Sequence, residues 1–314
     1  RTKALRAARL LEILRRERPD AFVVELYPFG RRAFEFELLP ALAALRDGTC
    51  GRPVALCSLR DILVEKADPD KYQTRVIGRL NSLFNGLLLH SDPELFPLEE
   101  SFPRAAEITV PVAYTGFVTR PPAPDARERV RAALGLAPGQ ALAVASAGGG
   151  KVGSELLFAS LRAWPLADFP EGSRLEVFSG PFLDEQAFNR LGADASGVPG
   201  ASVSRFAAEF PDLLAAADLS VSLAGYNTCM NVLAAGTPAL LWPFAQNREQ
   251  ALRAGRLSAL GSMAVLSPTD LEPGPLAALM RRVAGQGRRT VPRQALDGAA
   301  RAARLICEGP WRRQ

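Results

Sequence analysis

The sequence predicts an α/β protein made of two doubly wound units. Short apolar segments alternate with amphipathic ones along almost the whole chain, and this pattern favours parallel strands joined by right-handed helical crossovers. The alternation is interrupted near residue 120, where Pro121, Pro122 and Pro124 cannot continue a sheet. With 314 residues, the chain is also longer than a single hydrophobic core usually becomes.

The first block of the chain alternates between helices and strands. We predict helices at 3–17, 32–47 and 71–85, and buried strands at 21–26, 53–59 and 86–91. A complete nucleotide-binding unit usually has about six strands. We therefore expect the opening strands of this unit to lie upstream of Arg1 or to be absent.

The second block follows a proline-rich linker and a short helix within 119–140. It begins with the strand and three glycines of "ALAVASAGGG", at 141–150. A last helix is expected at 295–307, and its apolar positions predict that it packs back on the first block. Between these segments we predict strands at 174–180, 201–206, 218–223, 238–244 and 262–267, and helices at 152–162, 226–235 and 247–259.

The distribution of charge argues against a nucleic-acid-binding protein. The net charge is +5, with net charges of +4 in residues 1–20 and +7 in residues 281–314, so the body between them is slightly acidic. Nucleic-acid-binding surfaces usually interleave aromatic residues with basic ones, and these basic clusters do not. The basic ends are interpreted either as solvated helix faces or as a peripheral contact with an anionic membrane surface.

The cysteine and histidine content predicts no zinc site. The four cysteines form no CxxC pair, and His90 is the one histidine of the chain. We expect a reducing, cytoplasmic setting in which most of the thiols are buried as small apolar groups. No segment is long and apolar enough to predict a membrane span.

Polar residues stand at the end of each predicted strand of the first block. Glu25 ends the first strand, Asp61 follows the second and His90 ends the third. Because the carboxyl ends of parallel strands meet at one edge of a sheet, we expect the three side chains in one crevice, as a general base with its orienting carboxylate. The alternative is that Asp61 caps a helix and that His90 is a satisfied loop residue.

Two arginines, Arg31 and Arg32, open a predicted helix in "PFGRRAFEFE". Cations oppose the helix dipole at that end, so their position suggests an anionic partner. A simple surface position is the alternative interpretation.

Two glycine turns follow strands of the second block and precede helices. Glycines let backbone N–H groups approach a phosphate, and a helix N-terminus adds a positive dipole. A tight turn without a ligand is the alternative for each turn alone, whereas the two together favour a diphosphate site. No acidic pair follows a strand to hold a metal, so we expect none here. The residues of this site are Gly148, Gly149 and Gly150 in the first turn, and Gly225, Tyr226, Asn227 and Thr228 in the second.

Several longer motifs resemble a known enzyme family. The segment "SLAGYNTCMNVLAAGTPALLWPFAQNREQALRAGRLSALG" is similar to the donor-binding half of GT-B glycosyltransferases, of the family-28 type of C-terminal domain. The motifs "VVELYPFGRRAFEFELLP", "SLRDIL" and "HSDPELFPLEESFP" resemble more narrowly a bacterial family of predicted glycosyltransferases with unassigned substrates. The resemblance covers about residues 10–270.

The resemblance implies two Rossmann-like domains that face a cleft. An acceptor-side domain would comprise residues 1–120 with the returning segment 295–314, and a nucleotide-sugar domain would comprise residues 138–294. In that family the glycine turns face the diphosphate and the sugar, and the loop after the "LLWPF" strand contacts the sugar. The corresponding residues outside the turns are Phe206, which would border the base, and Arg248, Glu249 and Gln250 in the sugar loop.

One position departs from the family pattern. The helix after the second glycine turn usually carries a glutamate that binds both ribose hydroxyls, and Asn231 stands there in this chain. An amide has one acceptor oxygen, so the bidentate grip of a carboxylate on the diol is lost. The nucleotide therefore stays open, with UDP favoured.

The resemblance implies a hexosyltransferase that needs neither metal nor cofactor and moves a sugar from a nucleotide diphosphate to an acceptor hydroxyl. The acceptor is either lipid-linked or a small molecule, and the setting is the cytoplasm or the inner face of the membrane. Two other classes stay open. One is a nucleotide-sugar hydrolase or 2-epimerase of the same fold, and the other is a non-catalytic nucleotide-sugar-binding protein.

Overall fold

The chain divides into two compact units, Arg1–Val118 with Asp297–Gln314, and Thr119–Leu296. The structure is a computed structural model that describes residues 1–244, 246, 248–260, 262–289 and 296–313. Each unit has its own parallel sheet with helices packed on it. Within the described ranges, no helix is long and apolar enough to cross a membrane.

The sheet of the first unit has the strand order β1-β2-β3-β4, with parallel neighbours throughout. Leu56, Leu87 and Leu89 are fully buried in it, as expected of central strands covered on both faces. The strand β4 was not predicted, because its three residues are at least partly exposed and show no clear apolar pattern. The elements are β1 (Ala21–Glu25), β2 (Val54–Arg60), β3 (Gly86–His90) and β4 (Val112–Tyr114), with α1 (Thr2–Glu17), α2 (Glu35–Arg46), α3 (Pro69–Leu83) and α4 (Leu98–Ser101).

The sheet of the second unit has six described strands, again parallel, in the order β10-β9-β8-β5-β6-β7. The six predicted strands are all present, and their observed ends are shorter by up to four residues. The strands are β5 (Leu142–Ser146), β6 (Arg174–Phe178), β7 (Ala201–Ser204), β8 (Leu219–Leu223), β9 (Ala239–Trp242) and β10 (Met263–Val265). The helices are α5 (Ala126–Ala133), α6 (Ser154–Ala163), α7 (Glu185–Ser196), α8 (Phe210–Ala216), α9 (Tyr226–Ala235), α10 (Arg248–Ser258) and α11 (Pro273–Ala284).

The strand order of the second sheet reverses between β5 and β8. The chain runs outward from β5 through β6 to β7, then returns to β8 on the other side of β5 and runs outward through β9 to β10. The loops that leave β5 and β8 therefore diverge to opposite sides and leave a crevice at their carboxyl ends. In open parallel sheets, ligands bind at this switch point. Both predicted glycine turns begin there.

The C-terminal segment packs on the first unit. The helix α12 (Gly298–Glu308) begins where Gly298 donates a backbone hydrogen bond to Phe117 O, at 3.0 Å. Beyond the helix, the ring of Trp311 is buried against Leu56 and Leu88, and it lies so close to Gly86 that a Cβ there would overlap it. The start of the predicted helix, at 295, lies outside the described residues.

The segment predicted as a proline-rich linker is fastened to the second unit. The backbone N–H of Ala123 donates to Asp212 Oδ1 at 2.9 Å, and Arg127 and Arg131 donate to the two carboxylate oxygens of Asp218 at 2.6 and 2.9 Å. Burial alone would raise the pKa of Asp218, but these arginine bonds outweigh burial and hold that pKa below its usual value. The segment is thus part of the second unit rather than an extended connection.

Three of the four thiols are buried, in agreement with the sequence analysis. Cys50, Cys57 and Cys229 are buried, and Cys307 is exposed. Burial raises the pKa of the Cys57 thiol well above its usual value, which keeps it protonated and unreactive.

Candidate functional site

The two glycine turns lie side by side at the switch point of the second sheet. The strands that lead into them are hydrogen-bonded neighbours, with Ser146 opposite Ser222. A Cβ built on Gly148 would lie 3.8 Å from Thr228 Oγ1, so the first turn approaches the start of α9 closely. The pairing of β5 with β8 thus brings the two glycine turns together.

The three consecutive glycines have different roles. Gly148 and Gly149 are exposed, whereas Gly150 is buried against the loop that follows β6. A Cβ on Gly150 would overlap the carbonyl oxygen of Ser179, and Gly150 has φ 83°, a conformation that favours glycine. Its N–H donates to Ala147 O at 3.2 Å. Close packing therefore explains why residue 150 is a glycine. Gly148 and Gly149 are exposed and remain accessible to a ligand.

Backbone N–H groups at these turns are available to an anion. Gly149 accepts a hydrogen bond from Phe182 N at 3.0 Å, but its own N–H has no acceptor among the described residues. The N–H groups of Asn227 and Thr228, in the first turn of α9, likewise have no acceptor in the described part of the chain. Because these donors sit at the positive end of a helix dipole, the surface favours a phosphate oxygen.

The turn at Gly225 does not depend on a left-handed backbone. Gly225 is the N-cap of α9 with φ −70° and ψ 148°, and a Cβ there would meet nothing within 4 Å. A side chain at this position therefore causes no backbone strain. Such a side chain would occupy the open space beside the N–H groups of Asn227 and Thr228.

Asn231 lies one turn further along α9, and its side chain is engaged. Its Oδ1 accepts a hydrogen bond from Thr119 Oγ1 at 2.9 Å, at the first residue of the second unit. The single acceptor oxygen of the amide is thus already bonded to protein. This contact was not predicted, because Thr119 is 112 residues away in the sequence.

Gln250, on α10, is bonded to the backbone of Phe244, which follows β9. Its Oε1 accepts from the backbone N–H of Phe244 at 3.0 Å, and its side chain is buried. Arg248 is exposed and Glu249 is half-buried at the start of α10. Ala245 and Asn247, in the same predicted sugar loop, lie outside the described residues.

In the first unit, Glu25 ends β1 and is paired with arginines. Arg60 Nη2 lies 2.8 Å from Glu25 Oε1, and Arg31 Nη2 lies 3.5 Å from Oε2. The carboxylate is half-exposed. Both carboxylate oxygens of Glu25 are thus engaged by arginine side chains.

His90 is held between two hydroxyl groups at the end of β3. Thr115 Oγ1 lies 2.8 Å from Nδ1 and donates its own proton to Gly116 O, so it accepts from Nδ1–H. Nε2 is then the unprotonated nitrogen and accepts from Ser58 Oγ at 2.7 Å. Burial, followed by the nearby charge of Arg60, holds the pKa of His90 below its ordinary value. The imidazole is therefore neutral and its basic nitrogen faces Ser58.

Asp61 follows β2 and is buried, with 1% of its surface exposed. Its Oδ1 accepts from the backbone N–H of Ile62 at 2.8 Å. The alternative that it caps a helix is wrong, since the next helix, α3, is capped by Asp68. The strand register places Glu25 opposite Ser58 and His90 opposite Arg60, so Glu25 and His90 flank β2 from its two sides. At its two ring nitrogens, His90 is oriented by hydroxyls rather than by the predicted carboxylate.

A family model matches mainly residues of the second unit. Residues 178–305 match the glycosyltransferase family 28 C-terminal domain. The resemblance predicted from the second glycine-turn motif is thereby confirmed. The narrower likeness to a bacterial family of unassigned substrate stays a prediction.

The relatives extend the match beyond this domain. A UDP-N-acetylglucosamine--N-acetylmuramyl-(pentapeptide) pyrophosphoryl-undecaprenol N-acetylglucosamine transferase of Solibacter usitatus is 28% identical over 281 residues, 85% of this chain and 71% of the relative. The solved structure of Os79 from O. sativa in complex with UDP matches with a TM-score of 0.59 and 12% identity, over 98% of this chain and 82% of that one. MurG of Acinetobacter baumannii matches with a TM-score of 0.54 and 17% identity, over 96% of this chain and 78% of that one. The chain has the GT-B fold, as predicted.

A buried arginine of the second unit was not among the predicted site residues. Arg253, on α10, is 2% exposed, and its Nη1 donates to Ala224 O at 3.0 Å. Its Cζ lies 5.9 Å from the centre of the Tyr226 ring. Arg253 therefore supports the turn at Gly225 from beneath. The sequence did contain a signal for Arg253. It follows the predicted site residue Gln250 by three positions, and residues three apart share one helix face.

Two exposed phenylalanines follow strands of the second unit. Phe206, predicted to border the base, follows β7 and is 72% exposed. Phe182, which was not predicted, follows β6, is 65% exposed and has Lys151 Nζ 5.5 Å from its ring centre. A Cβ on Gly149 would lie 3.6 Å from Phe182 Cδ2, so this ring borders the first glycine turn. An exposed ring beside the first glycine turn suits the stacking of a flat ligand group.

Proposed function

We propose that this protein is a glycosyltransferase that moves a hexose from a nucleotide-diphosphate sugar, of the UDP type, to an acceptor hydroxyl. One observation carries the proposal. The turns after β5 and β8 meet at the switch point and leave the N–H groups of Gly149, Asn227 and Thr228 without a protein acceptor in the described chain. The match to the family 28 domain and the UDP complex of Os79 support the same assignment.

In the proposed reaction, the acceptor oxygen forms a bond to the anomeric carbon while the bond from that carbon to the diphosphate oxygen breaks. The electron pair of the broken bond goes to the nucleoside diphosphate. The free N–H groups and the α9 dipole stabilise the charge on that leaving group, so no metal is assigned to the step. The acceptor proton goes to a base, a role that we assign to the first unit.

His90 fits this role through Ser58, whose Oγ would take the acceptor proton as it passes its own proton to Nε2, with Glu25 as the alternative base. The neutral imidazole has its unprotonated Nε2 towards Ser58, and Ser58 is half-buried at the carboxyl-terminal part of β2. Asp61 would then act as a buried support of the same edge. The transferase named among the relatives acts on a pyrophosphoryl-undecaprenol substrate, which favours a lipid-linked acceptor and a setting at the inner face of the membrane.

Calorimetry with a panel of UDP-, GDP-, TDP- and ADP-sugars tests the donor site. We expect saturable binding of a UDP-sugar, weakened in Thr228→Val, which removes the hydroxyl beside Gly148. Thr109→Val is the matched control, because Thr109 is exposed and lies in the first unit. Binding of no member of the panel would refute the proposed donor site.

Product analysis separates transfer from the other two classes. The donor is incubated alone and with an extract that contains lipid-linked and small-molecule acceptors. Transfer predicts release of the nucleoside diphosphate only with the extract. Release with the donor alone indicates a hydrolase, an altered sugar indicates a 2-epimerase, and binding without turnover indicates a non-catalytic protein.

A further inference from the structure

A cationic pocket lies in the first unit, formed by the loop after β1, the loop after β2 and the first turns of α3. It is a cavity of about 670 Å³. Five cations and one carboxylate line it. The charged residues of this basic pocket are Arg31, Arg32, Lys66, Asp68, Lys71 and Arg75.

The one carboxylate of the basic pocket is committed to the protein backbone. Asp68 is the N-cap of α3, and its Oδ1 accepts from the backbone N–H of Lys71 at 3.1 Å. No carboxylate within the described residues forms an ion pair with Lys66, Lys71 or Arg75. Of the remaining two cations, Arg31 shares Glu25 with Arg60, and Arg32 lies 3.9 Å from Glu35, which also pairs with Arg79. The positive charge of the pocket is therefore only partly compensated from within the protein.

A buried tyrosine holds two of these cations in place. The hydroxyl of Tyr72 donates to Phe29 O at 2.8 Å and ties α3 to the loop after β1. Lys66 Nζ lies 5.8 Å and Arg75 Cζ lies 5.6 Å from the centre of its ring. Cations at these distances are attracted by the face of the ring. The Tyr72 ring thus attracts two of the five cations that line the pocket.

The chemistry of the basic pocket favours a compact anion with several charges. Lysine ammonium groups and arginine forks converge from three chain segments, and phosphate offers acceptor oxygens in as many directions. A nucleic acid would need a long basic track with interleaved aromatic residues rather than one compact pocket. A single carboxylate would leave most of these cations uncompensated.

We propose that the basic pocket of the first unit binds a phosphate monoester or diphosphate group. The proposal does not depend on the transferase reaction, because it concerns a site separate from the glycine turns. The group can belong to a soluble molecule or to a lipid headgroup, and both present the same dianionic oxygens. It also accounts for Arg31 and Arg32, whose position at a helix start suggested an anionic partner.

Calorimetric titration with inorganic pyrophosphate at constant ionic strength tests the soluble source. The pocket variant carries Lys66→Gln, Lys71→Gln and Arg75→Gln, and the matched control carries Lys3→Gln, Arg15→Gln and Arg16→Gln on α1, which removes the same charge elsewhere. We expect the pocket variant to bind at least about tenfold more weakly, from the loss of charge-assisted hydrogen bonds, and the control to bind like the wild type. Pyrophosphate bound at the glycine turns is common to all three proteins and cancels in the comparison.

Vesicle flotation tests the lipid source. Phosphatidylcholine vesicles are doped either with phosphatidic acid, which carries a phosphate monoester, or with phosphatidylserine, which does not. Binding to phosphatidic acid alone, lost in the pocket variant, assigns the site to a lipid headgroup, whereas a pyrophosphate effect without vesicle binding assigns it to a soluble group. The proposal is overturned if the pocket variant and the wild type bind equally in both experiments, or if the control loses as much binding as the pocket variant. It is also overturned if the protein binds both lipids equally without a pyrophosphate effect, or if it binds in neither experiment. The single variant Lys71→Gln replaces the triple one if thermal melting shows that the triple variant is unfolded.

Discussion

Arg253 donates a hydrogen bond from Nη1 to the carbonyl oxygen of Ala224, at 3.0 Å. Ala224 is the last residue before the turn that begins α9, so a side chain of α10 fixes the backbone that presents the free N–H groups of Asn227 and Thr228. The guanidinium does not lie among the predicted ligand-binding residues. It is a positioning residue, and its effect on a donor is transmitted through the turn.

The first prediction concerns this bond. Arg253→Met keeps a long apolar side chain but removes the donor, and a hydrogen bond from a charged group contributes roughly 1.5–3 kcal/mol. We expect UDP-sugar affinity to fall by about tenfold or more in calorimetry, since the turn loses its support. Arg301→Met, an exposed arginine of α12, is the control. Unchanged affinity in folded Arg253→Met protein would show that the turn holds its shape without this bond.

The second prediction separates two glycines of the donor site. Gly150→Ala should destabilise folding, because the new Cβ overlaps Ser179 O and the residue has φ 83°. Gly225→Val should fold normally, since the open space at Gly225 receives the side chain, yet bind the UDP-sugar more weakly. Thermal melting and calorimetry on both variants test this pair. A stable Gly150→Ala protein would contradict the packing argument.

The third prediction concerns pH. Burial holds the pKa of His90 below the ordinary 6.5, so the folded state binds a proton less readily than the unfolded state. The stability contributed by neutral His90 is complete above pH 6.5 and is lost as the pH falls below that value towards the folded pKa. The slope cannot exceed about 1.4 kcal/mol per pH unit for one proton. Urea unfolding at a series of pH values should show this slope in the wild type and not in His90→Gln.

Because His90 is the one histidine of the chain, its imidazole gives a single set of histidine resonances in an NMR titration of untagged protein. The resonances should titrate below pH 6.5. A midpoint at or above the ordinary value would refute the lowered pKa of His90 and with it the expected loss of stability below pH 6.5.

The fourth prediction concerns Asn231. Asn231→Glu offers two acceptor oxygens, of which one can keep the bond from Thr119 and the other can reach a ribose hydroxyl. We expect a gain of about 1 kcal/mol, roughly fivefold in affinity for a ribonucleotide sugar, and a smaller gain for a deoxyribose donor. Titration of one donor into both proteins decides the question. Equal affinities would place Asn231 away from the ribose.

The fifth prediction concerns the returning C-terminal segment. Gly86→Ala puts a Cβ into the ring of Trp311, and overpacking of this kind usually costs about 1–3 kcal/mol. The double variant with Trp311→Leu should recover part of that loss, because the smaller side chain leaves room for the Cβ. Chemical unfolding of the two single variants and the double variant measures the coupling free energy between residues 86 and 311. Additive effects would show that the two residues do not meet.

The class of the fold, the order of most of its elements and the place of the glycine turns could be predicted from the amino-acid sequence. These follow from local patterns: apolar runs that are buried on both faces, as at Leu56 and Leu87, and a glycine between a strand and a helix, as at Gly225. Patterns within a few residues are sufficient for such features. The strand Val112–Tyr114 and the helices α4 and α8 were missed because three, four and seven residues are too few to show a clear period. Helices α7 and α11 were missed although their apolar residues recur at helical spacing.

The partners of the individual polar groups could not be predicted, because they depend on which segments the fold brings together. Gly149 and Gly150 are equivalent in sequence, yet Gly150 packs against Ser179 and Gly149 keeps an unused N–H. His90 meets Ser58 across 32 residues, and Asn231 meets Thr119 across 112. A hydrogen-bonding group satisfies itself with whichever partner the fold brings within about 3 Å, and sequence distance does not limit that choice. The sheets decide these partners, because strand order and register set which loop ends become neighbours.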